Sequence, residues 1–173
     1  MPRLAFQPGS EHSLEVVGQT SGAHVHVKLT LAWIGKTKNA AIQSLTDEYV
    51  KRLRQYAEVE GVSLKDETAL LKLCGRDGRG TKRSLVLFDS RGKQLSSEDL
   101  ARFLRERQER NPAPLVIAIG PADGFTDATR QQANHVLSLG KMTFAHELAR
   151  VVVLEQLYRA FTILKGHPYH LGH

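Results

Sequence analysis

Two uninterrupted apolar runs, "SLVLFD" (84–89) and "PLVIAIG" (114–120), constrain this chain more than any other feature. A strand with one wet face alternates apolar and polar residues, whereas a continuous apolar run suits a strand covered on both faces. Such strands need helices above and below, and the flanking segments supply them. In 40–56 the apolar positions Ile42, Leu45, Tyr49, Leu53 and Tyr56 recur at three and four, the spacing of one helix face, with Lys51 and Arg54 opposite. Leu100, Phe103 and Leu104 form a second stripe behind the capping pair Ser96 and Asp99, with Arg102, Arg105 and Arg107 outward. Thr126 caps a further helix after the turn "PADGF". The last helix, about 146–164, carries Leu148, Val151, Val152, Leu154, Leu157, Tyr158 and Phe161 around most of its circumference. A helix with so little polar face is buried on two sides, and a partner subunit is one economical cover.

Before the first run, "VHVKLTLAWIG" alternates at Val25, Val27, Leu29, Leu31 and Trp33 and ends at Gly35, as expected of a strand with one buried face. "VEGVSLK" gives a short second strand and 67–74 a short helix. "SRGK" (90–93) turns the chain after the strand 84–89, and "LSLGKMTF" (137–144) is a short extended or irregular stretch. The order predicts an α/β fold, a largely parallel sheet flanked by helices. Residues 1–24 show no periodicity and are expected to be a flexible leader, with one domain over 25–173. A membrane helix needs about 20 apolar residues and no run approaches that. The opening residues lack the apolar core of a secretory signal, and the lone Cys74 suits a reducing cytoplasm. The net charge of +6 lies wholly after residue 24, because Arg3 is outweighed there by Glu11 and Glu15. It attracts polyanions, nucleic acid foremost, or marks a basic but unspecialised surface. "GRDGRGTKR" (75–83) has the composition of a phosphate-binding loop and equally of a solvated connector.

In parallel sheets ligands bind at the loops leaving the carboxyl ends of the strands. Three loops are therefore singled out: the turn after Phe88–Asp89, the turn Gly120–Gly124 and the stretch Leu139–Phe144. The second is no dinucleotide fingerprint, since its glycines read G-x-x-x-G, and no Walker loop, G-x-S-x-G elbow or H-E-x-x-H occurs. Cys74 has no partner motif and reads as structural. Asp89 either caps a turn or takes part in chemistry. His167, His170 and His173 stand three apart, but Pro168 and the chain end spoil a tetrahedral ligand set, so no metal is expected. Tyr169 and Pro168 point instead to an ordered turn.

"AHELARVVVLEQLYRAFTILKGHPYH" closely resembles the C-terminal signature of the RlmH family, and "VKLTLAWIGKTKN", "LVLFDSRGK" and "IGPADGFT" follow that family's order over residues 25–173. These are SPOUT-superfamily methyltransferases. The resemblance implies a homodimer with a C-terminal trefoil knot. It implies transfer of a methyl group from S-adenosylmethionine to N3 of a pseudouridine in a stem-loop of 23S ribosomal RNA, on the assembled ribosome. The positions matching the family's cofactor contacts are Phe88, Gly120, Leu139, Gly140, Lys141, Met142, Thr143 and Phe144. On this footing Tyr169 and His170 line the base pocket, with His170 the general base, its reference pKa lying near ~6.5. Arg150 and Arg159 bind phosphate or orient the RNA, or else form an ion pair at the dimer contact. His146 serves structure at the helix start. The chain departs from the family in residues 1–24, in a shorter segment 56–84, and in Gly-Pro rather than Gly-Gly at 120–121. A non-catalytic RNA binder on this fold, and methylation of a ribose 2′-hydroxyl, stay open as alternatives.

Overall fold

The structure, a computed structural model, describes residues 28–75, 80–111, 113–167 and 169. Ten elements alternate along it: β1 Lys28–Ile34, α1 Ala40–Leu53, β2 Glu58–Leu64, α2 Glu67–Cys74, β3 Ser84–Gln94, α3 Ser97–Arg110, β4 Leu115–Ile119, α4 Asp127–Gln132, β5 His135–Ser138 and α5 His146–Leu164. The strands form one parallel sheet in the order β2-β1-β4-β3-β5. β4 is buried along its whole length, as its uninterrupted apolar run requires. Val25 and Val27 lie outside the described residues.

Strand alternation sorts the core into two layers. Leu29, Leu31, Val86, Ile117 and Ile119 face α1, α3 and α5. Ala32, Leu85, Leu87, Val116 and Ala118 face the other way, toward Leu70 and Cys74 of α2 and Phe125. α5 runs between α1 and α3, and from Ala149 to Leu164 no side chain of it is exposed. Its half-buried stripe, Ala149, Val152, Gln156, Arg159 and Ile163, continues outward from the exposed Leu148. Among the described residues no helix is long and apolar enough to cross a membrane.

Three local expectations change. α1 stops at Leu53, and its buried positions are Thr46, Val50 and Leu53, whereas Leu45 is 44% exposed. Thr46 is tolerated there because its hydroxyl donates to the Ile42 carbonyl at 2.7 Å, so no polar group is stranded. The segment after Phe88 is an excursion within β3 rather than its end, since Phe88 and Lys93 both pair with Leu137. Gly92 is essential to that crossing: a Cβ there would stand 2.4 Å from the Leu137 carbonyl carbon. The caps hold as expected, with Ser96 Oγ accepting from Asp99 N and Thr126 Oγ1 from Thr129 N.

Candidate ligand-binding site

β3 and β4 are neighbours whose continuations leave toward opposite faces of the sheet, α3 to one and α4 to the other. A crevice opens at the carboxyl ends of such a pair. Phe88 and Ile119, a register pair, form its base, and a cavity of about 150 Å3 lies above them. All three loops selected by the strand-end rule meet there. Phe88, Ile119, Leu139, Phe144 and Ala149 supply apolar walls, and Gly120 and Gly140 open its backbone. Gly140 has φ +145° and nothing within 4 Å of its Cβ position, so the chain presents bare backbone at that point. Ser138 Oγ fixes the loop, accepting from Gly140 N at 3.2 Å and donating to Gly140 O at 2.9 Å. An apolar slot with a backbone-lined edge fits a flat heteroaromatic ring.

Of the predicted cofactor positions, Phe88, Gly120, Leu139, Gly140, Met142, Thr143 and Phe144 line the cavity. Met142 is 75% exposed and stands at the mouth, whereas Lys141 is exposed outside the lining. Sequence reasoning missed Ile119, Ser138, His146 and Ala149 as walls. The first two extend strand ends already singled out. Nothing in the sequence tells that the first turn of α5 closes the far side.

The described residues of the tail, through His167 and at Tyr169, lie at the other end of α5. α5 ends in a Schellman turn: Gly166, at φ +65°, donates to Ile163 O at 3.0 Å and His167 N to Thr162 O at 2.9 Å. The chain then folds back, Tyr169 N donating to His167 Nδ1 at 3.3 Å, and the Tyr169 ring meets Tyr158 edge-on at 4.9 Å. Tyr158 in turn packs on Tyr49 and Tyr56, and Arg52 lies over the rings of Tyr49 and Tyr158. The Arg159 guanidinium sits 5.3 Å from the Tyr169 ring centroid and bonds Glu155 through Nε and Nη2. Burial above all, then Tyr49 and Glu155, pushes the Tyr169 hydroxyl up to about 12, so it stays protonated at neutral pH. His170 and His173 lie outside the described residues. Tyr169 and Arg159 sit together, but ten helical residues, roughly 15 Å, separate Arg159 from Ala149 in the cavity wall. Within the chain, Arg159 and Tyr169 therefore stand apart from the cavity.

Arg150 is placed differently from Arg159. It is 2% exposed, with its guanidinium 4.5 Å from the Trp33 ring centroid. Among the described residues its Nε and Nη2 have no hydrogen-bond partner, and neither has Trp33 Nε1. Burial lowers its pKa, and Glu147 and Asp47 oppose that only in part. So placed, Arg150 is enclosed at the junction of β1 and α5.

The sheet order, the cavity at its switch point and the helix that closes it define an α/β protein built to take a nucleoside-like ligand. The chain belongs to the SPOUT methyltransferase family, whose model, described as predicted SPOUT methyltransferase, matches residues 27–170. It is 57% identical to the ribosomal RNA large subunit methyltransferase H of Koribacter versatilis, over 85% of this chain and 100% of that one. The enzyme of the same name from Geobacter sp. strain M21 is 40% identical over 83% of this chain and 99% of its own. Among solved structures, the SpoU methyltransferase AviRb of Streptomyces viridochromogenes, in complex with the cofactor AdoMet, superposes with a TM-score of 0.51. That match covers 82% of this chain and 60% of the other at 14% identity, and so speaks for the fold alone.

Proposed function

We propose that this protein methylates N3 of a pseudouridine in a stem-loop of 23S ribosomal RNA on the assembled ribosome. The observation that carries the proposal is the 57% identity along the full length of a ribosomal RNA large subunit methyltransferase H. S-adenosylmethionine, when bound, supplies an electrophilic methyl sulfonium. Phe88, Leu139 and Phe144 would clasp its ring, and the backbone at Gly120 and Gly140 would read its polar edge. Its C-terminal loops are threaded as the trefoil knot of the family.

The chain acts as a two-fold homodimer. The outward stripe of α5 from Leu148 to Ile163 is the contact, and a two-fold axis across it runs the two helices in opposite directions. The tail of one protomer then reaches the cavity of the other, which resolves the separation of roughly 15 Å within one chain. Arg159 orients the RNA. Tyr169, protonated at neutral pH, donates a hydrogen bond to the base. His170 takes the N3 proton. Arg150, which sits stacked on Trp33, holds the helix and not the RNA.

Calorimetric titration with S-adenosylhomocysteine tests the reading. Binding is expected, and its absence would leave a non-catalytic RNA binder.

A further inference from the structure

The turn Gly120–Phe125 is fastened by two carboxylates far from it in sequence. Gly124, at φ +78°, closes it by donating to Pro121 O at 2.9 Å, and the Phe125 ring packs under Gly120, 3.1 Å from where a Cβ would stand. The following amides are then taken by the scaffold. Phe125 N donates to Asp89 Oδ2 at 3.0 Å. Thr126 N donates to both oxygens of Glu67 at 3.2 Å, and the Thr126 and Thr129 hydroxyls both donate to Glu67 Oε2. Asp89 therefore grips the turn from β3 and Glu67 grips it from α2.

The Asp89 carboxylate is engaged through both of its oxygens. Its side chain is 2% exposed; Oδ1 accepts from Arg91 N at 2.9 Å, and Oδ2 also accepts from Arg130 Nη1 at 3.1 Å. Protonation would set a hydroxyl against these donors and release the turn. Gly124 is part of the same fit, since a Cβ there would stand 3.1 Å from Asp89 Oδ2. Pro121 has no N–H, so the turn meets a ligand with one backbone donor fewer.

We propose that Asp89 and Glu67 are positioning residues of the cofactor turn, holding Gly120–Phe125 in the shape that S-adenosylmethionine meets. The claim rests on the assignment of the cavity to that cofactor. Asp89→Asn and Glu67→Gln in the full-length protein test it, each replacing one acceptor oxygen by a donor. The readouts are affinity for S-adenosylhomocysteine, KM for S-adenosylmethionine and kcat at saturating cofactor on ribosomes lacking the mark. Expected are rises of about tenfold in Kd and KM for Asp89→Asn and about threefold for Glu67→Gln, with kcat within about twofold of wild type. A lower kcat at unchanged KM would put Asp89 in the chemistry and overturn the claim. Unchanged Kd and KM in both folded variants would overturn it too. If Asp89→Asn does not fold, Glu67→Gln decides. Wild-type protein that binds no S-adenosylhomocysteine overturns the cofactor assignment, and this claim with it.

Discussion

The Tyr169 hydroxyl lies 3.4 Å from Glu155 Oε1, the oxygen that also accepts from Nε and Nη2 of Arg159. One carboxylate thus ties the returning tail to the helix that precedes it. A chain ending at Lys165 loses Tyr169 and the residues after it but keeps every wall of the cavity. It is expected to bind S-adenosylhomocysteine within about threefold of the full chain and to lose methylation of ribosomes by at least about 100-fold, a few kcal/mol of transition-state stabilisation. Methylation that survived with folding and binding unchanged would remove the tail from catalysis.

Arg150 tests the distinction between packing and RNA contact. Arg150→Met keeps the bulk on Trp33 while removing a buried cation whose Nε and Nη2 have no hydrogen-bond partner among the described residues. Loss of the cation–π contact and relief of the buried charge offset each other, so stability should change by no more than about 1 kcal/mol. Denaturant unfolding measures this, and salt-dependent ribosome binding should be unchanged. A weakened salt dependence would return Arg150 to the RNA.

Asp89 and Glu67 set the acid limb of stability. Burial raises both carboxyls, but the amides of Arg91 and Phe125 with the Arg130 guanidinium outweigh it at Asp89, and Thr129 and Thr126 outweigh it at Glu67, so both are lowered. A lowered folded pKa gives stability that is present above the ordinary carboxylate range near ~4 and lost as pH falls through the folded value. Asp89→Asn should therefore be less stable than wild type at pH 7, and the gap should narrow below about pH 4. Unfolding curves across that range check the sign.

Cys74 is buried, and that burial pushes its thiol up to about 11, the cations Arg83 and Lys82 opposing only weakly. At pH 8 the folded protein should resist iodoacetamide and react at the rate of a free thiol once unfolded. Fast labelling of the native state would contradict the placement.

The layers and the three site loops were legible because buried parallel strands write themselves as SLVLF and LVIAI, and the ends of such strands are where ligands go. What stayed hidden depends on distant partners. Glu67 lies 59 residues from Thr126, and no local pattern links them. Arg150 looks like any helical arginine until Trp33 is seen beneath it. The distance from tail to cavity emerges only when α5 is laid across the sheet.

Mass mapping of 23S ribosomal RNA from a strain lacking this protein, before and after treatment with the purified chain and S-adenosylmethionine, tells base methylation from ribose methylation. One pseudouridine is expected to gain a single methyl group on its base at N3. A methyl group on a ribose 2′-hydroxyl, or no methyl group at all, would contradict it.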